Sequence, residues 1–361
     1  MGRILTYLAH SFWPMEAMVR GLEQVSKRPV VRRSVAIYNA NDYEACEVCV
    51  VFGAKDPINR VIVDQRAYGT PVLVVDLGYL KRGNLVEARA NPNTVYWSVN
   101  LNGLNGWGDP PRSPMPHDRW QALDIELAPW REGGSHILVC GQKPHDAAID
   151  GINPITFLTQ TIAQLQQITD RPIRWRPHPN DATNRRVTID GAEKSVAATL
   201  QEDLQDCYAV VAYNSNSLVE ALLAGVPVYV LGPGAVAAGM GYTELTEETI
   251  DNPLFPDREQ FFADLAYRQW TIPEFEQGLP WLHLMEEEPP TLDTVAPPSR
   301  TAPLSTPPHE SPTKKRRGRP RNKPQAQTPA ETTAAPAVNA PQEEAADAFI
   351  SPESLLKTVH S

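Results

Sequence analysis

The six residues Arg174-Trp175-Arg176-Pro177-His178-Pro179 set an imidazole between two prolines, directly after a short apolar run. Proline has no N–H with which to continue a sheet, so the chain must leave the strand here and present His178 at its carboxyl end. A second run, Tyr208–Tyr213, opens into Asn214-Ser215-Asn216-Ser217 and then into Leu218–Ala224, which Gly225 and Pro227 terminate. Small polar residues at a helix start gather hydroxyls and free backbone N–H groups, which together attract anions. Gln142 and Lys143 follow a third run, Ile137–Cys140. In an open α/β sheet the loops after the strand carboxyl ends share one crevice, and ligands bind in it. Gln142, Lys143, Arg176, His178 and Asn214–Ser217 therefore suit a ligand that carries phosphate. Blander roles fit the same residues. Ser217 with Glu220 spells a Ser-x-x-Glu capping box, Asn214 and Ser215 can satisfy a turn, and His178 can be structural.

Such loops need strands beneath them, and residues 1–285 supply them in two series. The first holds Ile4–Leu8, Glu16–Val25, Val35–Tyr38, Val48–Phe52, Ile58–Ala67, Val72–Val75 and Thr94–Val99. The second holds His136–Cys140, Ile155–Ile168, Ile173–Arg176, Ser195–Leu204, Tyr208–Tyr213, Leu218–Ala224 and Val226–Leu231. Strands alternating with helices imply parallel sheets with helices on both faces. The expected fold is α/β, with two Rossmann-like domains at residues 1–130 and 131–285, joined near Leu127–Gly134. Asp257–Leu284 would form closing helices of the second domain, packed down by Trp270 and Trp281.

Composition separates the rest. Of 35 prolines in 361 residues, 14 lie in residues 286–361, which contain a single aromatic residue, Phe349. A segment of that kind cannot bury enough apolar surface to offset chain entropy, so a disordered tail is expected. The net charge of −10 resides mostly in the body, which excludes non-specific binding of nucleic acid through overall charge. No apolar run approaches the ~20 residues of a membrane span, and no charged-then-apolar leader is visible. Four cysteines exclude a disulfide scaffold and suit a reducing compartment, so the cytoplasm is the expected location. Cys46-Glu47-Val48-Cys49 has a metal-like spacing, but no second pair lies nearby and the run enters an apolar strand, which favours a structural role.

One strongly basic segment stands in the tail. In Lys314-Lys315-Arg316-Arg317-Gly318-Arg319-Pro320-Arg321-Asn322-Lys323 seven of ten residues are basic. Gly318 lets the backbone approach closely and Pro320 keeps the following residues extended. Arg317 and Arg319 can then lie along a narrow minor groove, which is most negative in A·T-rich DNA. Lys314, Lys315, Arg316, Arg321 and Lys323 would pair with phosphates. The segment resembles the AT-hook, whose core is Arg-Gly-Arg-Pro with basic flanks. It also reads as a nuclear-import signal, or as a run that merely keeps the tail solvated.

A second resemblance covers residues 136–232. Arg176-Pro177-His178-Pro179, then Tyr213-Asn214-Ser215-Asn216-Ser217 and Glu220-Ala221-Leu222-Leu223-Ala224-Gly225-Val226-Pro227-Val228, resemble the nucleotide-sugar domain of GT-B glycosyltransferases. The likeness is to the capsule-polysaccharide type, in which a His-Pro loop and a Ser-rich helix start hold the nucleotide phosphates. It implies a donor site in the second domain, at Gln142, Lys143, Arg176, His178, Asn214–Ser217 and Glu220, and an acceptor site in the first. It further implies a nucleotide-sugar donor, UDP-linked by expectation. The donor region lacks an Asp-x-Asp motif, so no metal or other cofactor is expected. Joined to the AT-hook, the pattern is similar to phage enzymes that glycosylate 5-hydroxymethylated pyrimidines in DNA. A capsule or cell-surface glycan transferase, a non-catalytic DNA-binding adaptor and an epimerase are the other readings.

Inverting sugar transfer needs a base for the acceptor hydroxyl. Asp76, after Val72–Val75, is the first candidate and His10, after Ile4–Leu8, the second, with a cap, turn or core role open for either. Lys55, Lys81 and Arg82 can meet phosphates or simply be solvated. Trp107, in the turn-rich Asn100–Trp107, can stack on an extruded base or plug its own loop.

Overall fold

A computed structural model describes residues 2–8, 12–36, 38–39, 43–149, 151–181 and 187–285. His10 and the whole of 286–361, with the basic segment 314–323, lie outside the described residues.

The first half contributes β1 (Ile4–Leu8), α1 (Trp13–Ser26), β2 (Val30–Ser34), β3 (Val48–Phe52), α2 (Ile58–Ala67), β4 (Val72–Leu77), α3 (Leu85–Ala90), β5 (Trp97–Leu101) and α4 (Asp118–Ala122). The second contributes β6 (His136–Cys140), α5 (Pro154–Ile168), β7 (Ile173–Arg176), β8 (Glu193–Lys194), α6 (Leu200–Asp203), β9 (Cys207–Ala212), α7 (Ser217–Leu223) and β10 (Val228–Val230). After these come α8 (Glu247–Asp251), α9 (Glu259–Ala266), β11 (Gln269–Trp270), α10 (Ile272–Glu276) and α11 (Leu279–Met285). Local chemistry sets several boundaries. Asn153 caps α5 by accepting from the Ile155 and Thr156 N–H groups, with Pro154 in the first turn. Asn84 and Glu87 form a reciprocal capping box on α3.

The expected α/β architecture with two sheets is present. The second sheet has the order β10-β9-β6-β7-β8 and is parallel throughout. Counted within that half, this is the Rossmann order, and its switch point lies between β6 and β9. The first sheet has the order β11-β5-β4-β3-β1-β2. Its β1–β4 are parallel, but β5 runs antiparallel to β4 and β11 antiparallel to β5, so the all-parallel expectation fails at that edge. Strands buried on both faces dominate: Val48–Val51, Val72–Val75 and the whole of Cys207–Ala212 are buried, as parallel strands covered by helices must be.

Three further expectations need correction. The strand expected at Val35–Tyr38 lies upstream, at Val30–Ser34, where Arg32 and Arg33 pair with Glu16 and Glu44 along an exposed edge. Charged edge strands carry little hydrophobic signal. The stretch Ser195–Leu204 yields only the single turn of α6. From β11 onward the closing segment packs on the first half: β11 joins the first sheet, and Phe275, Leu279 and Trp281 share a core with Met15, Met18 and Leu22 of α1, while Phe262 and Leu265 of α9 stay in a core with Leu218 and Leu222 of α7.

His283 of α11 gives this closing segment a pH signature. It is buried, and its Nδ1 atom has no hydrogen-bond partner. Burial, reinforced by the charges of Arg112 and Arg119, pushes the imidazole down to about 4. The unfolded chain binds this proton near pH ~6.5, so stability is full above that value and is lost as pH falls toward 4. The contribution is on the order of 3 kcal/mol. Urea midpoints between pH 7 and pH 4.5 should fall, and His283→Gln should flatten that dependence.

Candidate active site

The switch point of the second sheet is closed by a pair of side chains. Gln142, two residues past β6, donates from Nε2 to Asn214 Oδ1 at 2.8 Å and accepts from the Asn214 backbone N–H at 3.2 Å. Asn214, two residues past β9, donates from Nδ2 to the carbonyls of Ala148 at 2.6 Å and Pro233 at 2.9 Å. Both residues are buried. This network ties together the loops after β6, β9 and β10 at the sheet edge where the topology places a ligand crevice.

Ser215 and Asn216 follow at partial exposure. Ser215 Oγ accepts from the Ser217 N–H at 3.2 Å, and Asn216 Nδ2 donates to the Tyr79 carbonyl of the first half at 3.2 Å. Asn216, not Ser217, is the N-cap of α7, and its side chain makes no capping hydrogen bond. The Ser-x-x-Glu capping box is therefore absent. Ser217 is already inside the helix, and Glu220 accepts from Gln201 Nε2 at 3.0 Å on the side facing α6. Glu220 lines a recess with Arg131 and Gln201, away from the crevice.

His178 leaves β7 as its flanking prolines require. Its Nδ1 accepts from the Asn180 N–H at 3.2 Å, which leaves Nε2 as the protonated, donating nitrogen of the neutral ring. Desolvation lowers its pKa; Asp146 and Asp181 oppose that shift, and Lys143 and Arg82 add to it. Arg176 points elsewhere. Its guanidinium meets the Asp203 carboxylate at 2.6 Å and the carbonyls of Ala197 and Ala198, and so fastens the end of β7 to α6.

From the first half, Asp76 sits near the end of β4, opposite Ser98 of β5, and its Oδ1 accepts from the Leu77 N–H at 2.6 Å. Desolvation pushes its carboxyl up to about 6, against the opposing Leu77 hydrogen bond and Arg82, with Asp146 adding to the rise. Arg82 and Asp146 thus act on both Asp76 and His178, one group from each half. Asp146 was invisible as a site residue in the sequence. Its own signal is a turn, with Oδ1 accepting from the Ala148 N–H at 2.9 Å. Lys55, Lys81 and Arg82 are all exposed. Trp107 does not stand free: its indole N–H donates to the Ala148 carbonyl across the cleft at 3.0 Å. Cys49 is buried in β3 and Cys46 contacts Gln65, and burial raises both thiols, in keeping with a structural role.

No family model matches the chain, and no curated protein is similar to it. Among solved structures, the chain is similar to KpsC, a β-Kdo 2,4 transferase of Thermosulfurimonas dismutans, with 15% identity over 75% of this chain and 92% of that one, at a TM-score of 0.48. It is similar to the glycosyltransferase SnogD of Streptomyces nogalater, with 14% identity over 80% and 97% of the two chains and a TM-score of 0.29. It also matches a Methanocaldococcus jannaschii UDP-GlcNAc 2-epimerase in complex with UDP-GlcNAc and UDP, with 10% identity over 72% and 97% and a TM-score of 0.29. The architecture described above stands on the strand order of the two sheets alone. No helix among the described residues is long and apolar enough to cross a membrane.

Proposed function

We propose that the protein is a glycosyltransferase of GT-B build that moves a sugar from a nucleotide-sugar, UDP-linked by preference, to the hydroxymethyl group of modified pyrimidines in phage DNA. The observation that carries the transferase reading is the contact of the loop that follows Asp76 on β4 with the Asn214–Ser217 turn, through Asn216 Nδ2 and the Tyr79 carbonyl, with Arg82 and Asp146 acting on both the raised carboxyl of Asp76 and His178. The donor phosphates would lie against His178 Nε2 and the Asn214–Ser217 turn, within the field of Lys143. Asp76 takes the proton of the acceptor hydroxyl as that oxygen bonds to the anomeric carbon. The bond from this carbon to the phosphate oxygen breaks, and its electron pair leaves with the nucleotide. Arg82, Lys143 and the His178 N–H neutralise the charge that develops there. The division expected at 130/131 and 285/286 then becomes an acceptor domain of 1–130 completed by β11, α10 and α11, a donor domain formed by the residues between, and a tail.

The DNA acceptor is supported by Arg317-Gly318-Arg319-Pro320 and its basic flanks. A base in a duplex must leave the stack to reach the donor, at a cost of a few kcal/mol. The test is mass spectrometry of nucleosides after incubation of UDP-sugars with DNA containing 5-hydroxymethylcytosine or 5-hydroxymethyluracil, beside unmodified DNA. A sugar-sized gain confined to the hydroxymethylated base is the expected result. Transfer to a capsule-type glycan instead would move the assignment to cell-surface polysaccharide. No nucleotide binding at all would leave a DNA-binding adaptor.

Two variants separate the halves of this reading. His178→Ala should abolish transfer and weaken nucleotide binding in calorimetry. Arg319→Ala should leave nucleotide binding unchanged while lowering affinity for A·T-rich duplex and narrowing its preference over G·C-rich duplex.

A further inference from the structure

The turn after β5 reaches from the first half into the second. The Gly106 N–H donates to the Gly234 carbonyl at 3.0 Å, and the Trp107 indole N–H donates to the Ala148 carbonyl at 3.0 Å. The two backbones meet without side chains between them. A Cβ on Gly106 would come 2.7 Å from the Ala235 carbonyl, and one on Gly234, at φ +73°, would strike the indole ring. Leu104, in the same turn, shares an apolar cluster with Ala148.

The Ala148 carbonyl is a shared acceptor, because Asn214 Nδ2 donates to it at 2.6 Å as well. The same Nδ2 reaches Pro233, the residue before Gly234. Trp107 therefore touches the two second-half loops that Asn214 also holds, and Asn214 is locked to Gln142 by two hydrogen bonds. A carbonyl with two lone pairs accepts both donors, and its position is fixed when both are made.

We propose that Trp107 is a positioning residue: through the Ala148 carbonyl and the Gly234 backbone it holds the Gln142–Asn214 pair in place, so that the first half completes the donor site of the second. The inference rests on the donor reading above for its consequence, but its structural content is separate. Trp107→Phe deletes the N–H and keeps most of the ring. Trp107→Gln keeps an N–H of similar reach and deletes the ring. If the N–H positions the loops, Trp107→Phe is the more damaging change at the site, whereas a role in packing alone predicts the reverse order.

The experiment is hydrogen–deuterium exchange on the full unliganded chain, with titration of UDP, TDP and CMP beside it. Trp107→Phe should speed exchange in residues 142–149 and 214–217 about fivefold, the weight of one neutral hydrogen bond, and Trp107→Gln less. Nucleotide affinity should weaken by about the same factor for the loss of that one bond, with any effect on turnover falling in KM rather than kcat. Unchanged exchange in Trp107→Phe, or greater exchange in Trp107→Gln, overturns the proposal. Failure of the wild-type chain to bind any of the three nucleotides overturns the donor reading instead, and the exchange order still decides whether Trp107 positions the pair.

Discussion

Asp76→Asn is expected to cut kcat for sugar transfer by roughly 10²–10⁴, the range for loss of a general base, with KM for the donor nearly unchanged. The amide fills the same space at the end of β4 and can still accept from the Leu77 N–H, so the fold should survive. The pH profile provides the sharper check. The carboxyl titrates at about 6, and only its anion can take a proton. The wild-type rate should therefore be flat above that value and fall as pH drops through it, about tenfold for each unit further down. Asp146→Asn removes a neighbouring negative charge that raises Asp76, so the acidic limb should move to lower pH. A profile that stays put in Asp146→Asn, or a limb that persists in Asp76→Asn, would assign the titration to another group.

Asp203→Ala should be strongly destabilising. Asp203 is 1% exposed and accepts from Arg176 and from Ser195 Oγ at 2.7 and 2.6 Å, with Arg174 3.7 Å away. Removing the anion leaves Arg176, itself largely covered, without its partner; breaking a buried pair in this way costs about 3–5 kcal/mol. Chemical denaturation followed by tryptophan fluorescence should show the loss, and nucleotide binding should weaken with it because His178 follows directly after the end of β7 that Asp203 fastens. A loss below ~1 kcal/mol, the scale of an exposed ion pair, would show that the network is effectively solvated.

The parts of the site that the sequence revealed are those with strong local grammar. Two prolines force His178 off its strand, and an apolar run ending in small polar residues places Asn214–Ser217, so both loops stand where the residues alone put them. Groups whose roles depend on distant partners were not legible. Arg176 reads as a ligand for phosphate until Asp203, 27 residues on, takes its guanidinium. Ser217 and Glu220 have the spacing of a cap, but the helix starts one residue earlier than that spacing requires. Asp146 looks like a turn former, and only the opposing half gives its charge a second use. The two-residue strands β8 and β11 are too short to show any periodicity. Trp107 carried an accurate hint of plugging, yet the surface it plugs belongs to loops more than 40 residues away in sequence.

The return of the closing segment to the first sheet also bears on how the protein is made. The residues that form β1–β5 leave the ribosome before the second half, but the strand that covers β5 and the helices that cover α1 are translated only after it. Until Gln269–Met285 emerges, the nascent first half must hold Trp97, Met18 and Leu22 without the Trp270, Phe275 and Trp281 that bury them. The half synthesised first is thus the half completed last. Fragments ending near residue 130 should expose this apolar face and bind chaperones or aggregate, whereas chains that reach Met285 should not.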